Sequence, residues 1–229
     1  RARALLGEVN LRDVLLENAS GRHRIGDIRA SAHANDDIHR VLFESGFAEG
    51  TFVGDKSIVS LVSDLKDLVV RKELPSLLEK PVTPWDGTPY ELNFKFFDTR
   101  ELLGFIVPGL YIEKNSSLWL KVGENGSVDG NVTSGRIALG TRYLKDFRMD
   151  LDNRNNALRA DVTGSAINLG GIELRDNHID LMVDDDRVNL NYTFDNQTDE
   201  VSKADLRLTG DLARDAAGLA GVASAPPPP

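Results

Sequence analysis

The residue types most often used for metal binding are few and scattered in this chain of 229 residues. Its four histidines, His23, His33, His39 and His178, have neither the one-turn helical spacing nor the alternate-strand spacing with carboxylates that zinc sites use. The run Asp184-Asp185-Asp186 offers oxygen ligands of the kind calcium prefers. It lacks the alternating acidic loop and the distal glutamate of a calcium site, so a polar turn is the preferred interpretation. The sequence predicts no metal and no cofactor.

Nucleophilic and acid–base chemistry have no better support. The chain has no cysteine, which excludes thiolate catalysis, thiolate metal ligands and disulfides. No nucleophile elbow, phosphate loop or dinucleotide fingerprint occurs, and Gly164-Ser165 and Gly170-Gly171 have the composition of turns or bulges. Most carboxylates fall at polar strand positions or in turns, whereas general acid–base catalysis needs two of them in a dry pocket. We therefore predict that the chain is not an enzyme.

Composition and charge narrow the choice of partner. Hydrophobic residues make up 41% of the sequence and charged residues 28%, which separates it from disordered chains. The 27 basic and 36 acidic side chains give a net charge of −9, which repels a phosphate backbone and excludes nucleic acid as a partner. No apolar run approaches the roughly 20 residues that span a bilayer.

Alternation of apolar and polar residues predicts strands with one apolar and one polar face. The alternation is clearest in residues 90–96 and recurs in 118–122, 158–162, 179–183 and 188–194. The last two runs flank Asp184–Arg187 and predict a β-hairpin. A single β unit with this apolar face running through it is therefore expected.

Short turn signals between these strands predict the topology. They include residues 123–126, Gly170-Gly171 and Asp176-Asn177. Connections this short leave no room for crossover helices, so an antiparallel meander is expected. Its apolar face must be covered by folding into a sandwich, by closing into a barrel, or by curling into a groove that holds apolar ligands. The strand pattern leaves all three open.

The N-terminal part adds weaker strands and two predicted helices. Val41, Phe43 and Phe47 are expected on one face of a strand that continues towards Val53. Residues 57–74 have the spacing of an amphipathic helix that stops at a proline, and residues 99–106 predict a second, short helix. Residues 1–212 are expected to form the β unit, and residues 213–229, rich in Ala, Gly and Pro, a tail or linker.

Several segments resemble a known family. The sequence Trp85-Asp86-Gly87-Thr88-Pro89 within residues 84–92 and Val107-Pro108-Gly109 within residues 107–112 resemble the translocation and assembly module TamB family, in its Bacteroidota-type members. Further agreement lies in residues 18–28, 47–56, 98–103 and 192–199, and the resemblance covers about residues 8–212. The start without a methionine and the proline-rich end favour an internal segment of a longer chain.

The resemblance implies a function in lipid transport. TamB-like proteins belong with AsmA-like and bridge-like lipid transfer proteins, whose long β-structure curls into an apolar groove, a β-taco, that spans the periplasm. The parent protein would be anchored in the inner membrane and would meet an Omp85-type outer-membrane barrel through a C-terminal region. The implied activity is phospholipid transport between the two membranes and outer-membrane biogenesis in a Gram-negative cell. No nucleophile or energy source is implied within the segment.

The resemblance and the strand pattern together predict which side chains touch phospholipid acyl chains. The expected groove lining is Phe43, Phe47, Leu92, Phe94, Phe96, Leu118, Leu120, Val122, Leu158, Val162, Ile179, Leu181, Val183, Leu190, Tyr192 and Phe194. The exposed sheet edges are expected to favour dimerisation. Two other classes stay open: a closed β-sandwich or β-solenoid with a structural or adhesive function, and a carbohydrate-active enzyme on a β-scaffold.

Overall fold

The described strands form one sheet. A computed structural model describes residues 7–19, 21–35, 38–54, 86–153, 157–196, 203–215 and 218–224. Within them, fourteen antiparallel strands belong to a single open sheet. Thirteen of the strands lie side by side in chain order from β1 to β14. The remaining strand, β6, is outside this series and pairs with β8. The prediction of a mainly β, antiparallel meander is confirmed.

The bounds of the elements follow the alternating sequence pattern. The strands are β1 (Gly7–Asn18), β2 (Gly21–Asn35), β3 (Ile38–Ser45), β4 (Ala48–Gly54), β5 (Tyr90–Phe96), β6 (Leu110–Ile112), β7 (Ser117–Val122), β8 (Val128–Leu139), β9 (Arg142–Asp152), β10 (Leu158–Asn168), β11 (Glu173–Asp184), β12 (Arg187–Asp195), β13 (Lys203–Asp215) and β14 (Gly218–Ser224). The predicted hairpin is present, since β11 and β12 pair up to Asp184 and Arg187. Its two turn residues, Asp185 and Asp186, have φ of 45° and 66°, the left-handed conformation of a tight hairpin turn.

The expected strand from Val41 through Phe47 towards Val53 is wrong. The chain reverses after Ser45, and β3 and β4 form a hairpin in which Val41 lies opposite Phe52. The hydroxyl of Ser45 accepts hydrogen bonds from the backbone N–H groups of Phe47 and Ala48, at 3.3 and 3.0 Å. Because this side chain, and not a neighbouring strand, satisfies these two N–H groups, the strand ends here. Phe47 therefore lies in the turn.

A helix, α1 (Arg100–Ile106), lies between β5 and β6, where the sequence predicts one over residues 99–106. It contacts β1, β2 and β6. The Asn18 side-chain amide donates to the carbonyl oxygen of Phe105 at 2.9 Å, and the Phe105 ring meets His23 edge-on at 6.0 Å. The helix therefore fills the end of the sheet that the short strands β3 to β5 leave open. The helix predicted over residues 57–74 lies outside the described residues.

The C-terminal region differs from the predicted tail. β13 extends through Asp215, and β14 pairs with it up to Gly218, so residues of the expected linker join the sheet. Ala and Gly have low strand propensity, but the edge of a sheet presents unpaired backbone groups that any following segment can satisfy.

A crease crosses four neighbouring strands at one level. The pairing skips Gly135 and Asp146 between β8 and β9, Asp146 and Ser165 between β9 and β10, and Ser165 and Asp176 between β10 and β11. Both aspartates have a φ of 48°. A left-handed residue interrupts the two-residue alternation of a strand. Beyond the crease the apolar positions accordingly shift by one residue, to the row Ile112, Ile137, Leu144, Ile167 and Leu174.

Candidate functional site

An unbroken apolar row crosses twelve strands of the sheet. Residues that lie directly opposite in an antiparallel ladder point to the same face, so the register defines each row. Row A consists of Val9, Ala30, Phe43, Gly50, Phe94, Leu118, Val132, Met149, Val162, Ile179, Tyr192 and Leu206. Every member is apolar, aromatic or glycine. At a strand spacing of about 4.8 Å, row A is about 50 Å long.

A second apolar row runs beside the first, two residues further along each strand. Row B consists of Gly7, Ala32, Val41, Phe52, Leu92, Leu120, Gly130, Leu151, Ala160, Leu181, Leu190 and Leu208. A shorter third row adds Tyr90, Val122 and Val128 on one side, and Leu158, Val183 and Val188 on the other. Together these rows form a broad apolar band, which we call the apolar face.

The opposite face is polar along the same line. In each strand, the residue next to the row A member, on the side nearer the crease, points to this opposite face. These residues are Asn10, Arg29, Glu44, Glu49, Lys95, Ser117, Thr133, Arg148, Thr163, His178, Thr193 and Asp205. Cross-strand ion pairs and hydrogen bonds stabilise this face, such as the 2.8 Å contact between His178 and Asp161. The sheet thus separates an apolar side from a solvated side across the twelve strands of row A.

Aromatic side chains converge on the apolar face over a glycine. Gly50 in β4 lies between Phe43 and Phe94 of the flanking strands. The two ring centroids are 6.2 Å apart, although their strands are separated by about 9.6 Å. A Cβ atom on Gly50 would lie 2.5 Å from the Phe94 ring, so the glycine makes room for the rings to meet.

Burial on the apolar face is deepest in its middle. The buried cluster is formed by Phe52, Tyr90, Leu92, Leu120, Val122 and Val128, with Val41, Phe94 and Leu151 packed against it. At the two ends of row A, Val9 and Leu206 are about half exposed, at 47% and 52%. The rows therefore pass from solvent at one sheet edge, through a buried centre, to solvent at the other edge.

The structure brings most of the predicted lining residues together. Row A contains Phe43, Phe94, Leu118, Val162, Ile179 and Tyr192, and row B contains Leu92, Leu120, Leu181 and Leu190. Val122, Leu158 and Val183 belong to the third row. Phe96 and Phe194 lie two residues beyond row A, and their rings contact Phe94 and Tyr192 at 6.5 and 5.7 Å. Phe47 is the exception, since it lies in the β3–β4 turn with its ring 5.7 Å from Phe43.

One polar group is built into this face. The buried Asn177 donates from its side-chain nitrogen to the carbonyl oxygens of Leu174 and Gly164 and accepts a 2.7 Å hydrogen bond from the Tyr192 hydroxyl. Burial raises the pKa of Tyr192 above its usual value. The hydroxyl therefore stays protonated and satisfied, and the Tyr192 ring contributes to row A as an apolar surface.

Sequence reasoning missed several members of the rows. Phe52, Val132 and Gly130 were not among the expected lining residues, although the register places each of them directly opposite one that was, namely Leu92, Leu118 and Leu120. Phe52 was hidden because the expected strand ran past the β3–β4 turn. Gly130 looked like part of a turn. The signal that would have found both is the requirement that every strand contribute one residue to each row.

Within the described residues, no group of three or more histidine, cysteine or acidic side chains is arranged to hold a metal ion. No helix of the described part is long and apolar enough to cross a membrane. Comparison with known proteins gives no family model, no curated protein and no solved structure that matches the chain.

Proposed function

We propose that this chain is a periplasmic segment of a TamB/AsmA-like protein and provides an apolar β-groove for phospholipid transport between the inner and outer membranes. In this proposal the apolar face is the concave side of the curled sheet, and acyl chains lie along rows A and B. The single observation that carries the proposal is the continuity of row A, which offers an apolar partner at each of the twelve strands that it crosses. An acyl chain that slides along such a row exchanges one apolar contact for another without meeting water.

The energetics favour an acyl ligand over a bare surface. Each methylene buried from water contributes about 0.8 kcal/mol, and monomeric proteins rarely leave an apolar patch of this extent uncovered. The convergence of Phe43 and Phe94 over Gly50 supports a concave surface, because side chains crowd together on the inner side of a bend. A small, half-buried member of row A such as Ala30 leaves room for a ligand.

The wider setting belongs to the same proposal. The exposed edges β1 and β14 would continue the sheet into neighbouring segments or favour dimerisation through their backbone groups. The Omp85-type barrel and the inner-membrane anchor would be contacted by other regions of the parent protein. Such a segment would serve outer-membrane biogenesis as a passive conduit.

Native mass spectrometry of the purified segment, combined with lipid extraction, tests the proposal. We expect co-purifying phospholipid that is lost in a variant carrying Leu190→Asp on the apolar face. The matched variant Asn191→Asp adds the same charge at the neighbouring, exposed position of β12 on the opposite face, and it should retain the lipid. A lipid-free mass with cooperative unfolding would contradict the proposal and would favour a structural or adhesive module.

A further inference from the structure

Apolar side chains gather at the tips of the connections on one end of the sheet. In an antiparallel meander successive connections alternate between the two ends of the strands, so α1, the β8–β9 turn and the β10–β11 turn share one end. Five large hydrophobic side chains there, Ile106, Val107, Leu139, Leu169 and Ile172, are between 40% and 67% exposed. We call them the apolar tips.

The tips are contiguous and built on tight turns. The N–H of Gly140 donates to the carbonyl oxygen of Gly109 at 3.1 Å, which joins the end of α1 to the β8–β9 turn. In the next turn, the N–H of Leu169 donates to the carbonyl oxygen of Ile172 at 2.9 Å across Gly170-Gly171. These turns need their glycines, which have positive φ. The backbone does not require large apolar side chains beside the glycines, so their exposure is an uncompensated cost unless something covers them.

Three cations lie in the hairpin that carries Leu139; Arg142 lies directly opposite Leu139, and the other two lie three residue pairs further from the turn, on the other face. Arg136 and Lys145 lie directly opposite each other in the β8–β9 ladder, a pairing of like charges that destabilises a sheet. Both lie over the ring of Tyr143, at 4.6 and 5.1 Å from its centroid. With Arg142 at the start of β9 they make three cations, and none of the three forms an ion pair within the described residues. Glu173, which lies on the row of Tyr143, accepts hydrogen bonds from Tyr143 and Arg175, and the charge of Lys145 also helps to lower its pKa.

The described turns at the opposite end of the sheet are acidic and lack apolar tips. Its described turns carry Glu124 between β7 and β8 and the run Asp184-Asp185-Asp186 between β11 and β12. None of the exposed large hydrophobic side chains among the described residues lies in these turns. The exposed apolar groups and these three cations therefore lie at the same end, together with acidic side chains such as Glu101 and Glu173.

We propose that the apolar tips dock this end of the sheet onto an anionic lipid bilayer. Exposed apolar side chains beside lysine and arginine are the pattern of interfacial membrane binding, in which the apolar groups enter the boundary between headgroups and acyl chains. The three cations meet the lipid phosphates, and binding relieves the repulsion between Arg136 and Lys145. The inference does not depend on the groove, because the tips lie beyond the crease and outside rows A and B.

Flotation of the protein with lipid vesicles tests the inference. We expect binding to vesicles of phosphatidylcholine and phosphatidylglycerol, weaker binding to phosphatidylcholine alone, and a loss of the difference at high salt. Replacing Leu139, Leu169 and Ile172 together by Ser should lower the partition coefficient about 100-fold, from the apolar area no longer buried. Arg142→Glu should lower it about tenfold on the anionic vesicles only.

Matched controls separate docking from folding and from the groove. Leu42→Ser removes an exposed leucine from the polar face, and Lys121→Glu reverses an exposed cation there; both should bind vesicles like the unmodified chain. Leu190→Asp should lose bound lipid yet still float, so the groove and the docking surface fail independently. Circular dichroism verifies the fold of each variant. No flotation of the unmodified chain, or equal flotation of the triple-serine variant, would overturn the inference and favour a protein partner for the tips.

Discussion

Placing one charge near the β13 end of row B should separate acyl binding from every other property of the sheet. Leu190 in β12 lies directly opposite Leu181 on one side and Leu208 on the other. An acyl chain along row B must pass it. Leu190→Asp puts a carboxylate at this step, whereas Asn191→Asp puts the same charge on the opposite face. The pair therefore tests the face rather than the charge.

The size of the effect follows from the strand spacing. One step between strands is about 4.8 Å and spans about four methylenes, whose burial contributes about 3 kcal/mol in total at about 0.8 kcal/mol each. A charged side chain repels this stretch, so affinity for an acyl ligand should fall about 100-fold. Asn191→Asp should change the affinity less than about twofold, because exposed charges interact weakly through water.

Titration with cis-parinaric acid, an intrinsically fluorescent fatty acid, measures the affinity. Circular dichroism and thermal unfolding show whether each variant is folded. Leu208→Asp repeats the test at a row B position that is 51% exposed, where a charge disturbs folding less, and Thr209→Asp is its control on the polar face. Equal affinity of Leu190→Asp, Asn191→Asp and the unmodified chain would refute the assignment of row B as an acyl surface.

Three further predictions concern the scaffold. Phe52→Ala should destabilise the sheet by about 3–5 kcal/mol and lower the melting temperature by about 10 °C, since Phe52 is 1% exposed; an unchanged melting temperature in calorimetry would contradict its place in the core. Gly50→Ala should lower the free energy of unfolding by about 1–3 kcal/mol, because the added Cβ would lie 2.5 Å from a ring atom and 2.6 Å from a backbone oxygen. The control Gly46→Ala places its Cβ with nothing within 4 Å, so urea unfolding should show no change in stability. A side-chain hydrogen bond from Arg100 lowers the pKa of Asp98 to about 2. The contribution of this pair to the stability of the fold is therefore complete at pH values above the ordinary pKa of an aspartate, and it disappears as the pH falls through about 2. Nuclear magnetic resonance titration should show this midpoint, and Arg100→Gln should return it towards the ordinary value; a midpoint near 4 with Arg100 in place would contradict the contact.

The crease illustrates what a local reading of sequence resolves and what it does not. Gly164-Ser165 was expected to be a turn or bulge, and Asp176-Asn177 a turn. Asp176 instead lies within β11. Ser165 lies at the same level within β10, where the pairing skips it as in a bulge. A left-handed aspartate is compatible with a turn or with a bend inside a strand, and only the pairing of the residues before and after it with a neighbouring strand distinguishes the two.

The sequence predicts which residues belong to the apolar face better than it predicts the order in which they join across the sheet. Alternation in each strand places Leu118, Leu120 and Val122 on one face, because successive side chains of a strand point to opposite sides. The register between strands decides that Leu118 lies directly opposite Phe94 on one side and Val132 on the other. Register is fixed by turns and by contacts between strands, which no single stretch of sequence contains.

The sequence by itself determined that this protein is a mainly β meander with one apolar and one polar face, because a period of two and short polar turns are local properties. Only the tertiary structure decided that the apolar residues of twelve strands join into unbroken rows, that a crease shifts the pattern beyond Asp146 and Asp176, and that the apolar tips gather at one end. Each of these depends on residues far apart in the chain being brought side by side by backbone hydrogen bonds, which are the same whatever the side chain.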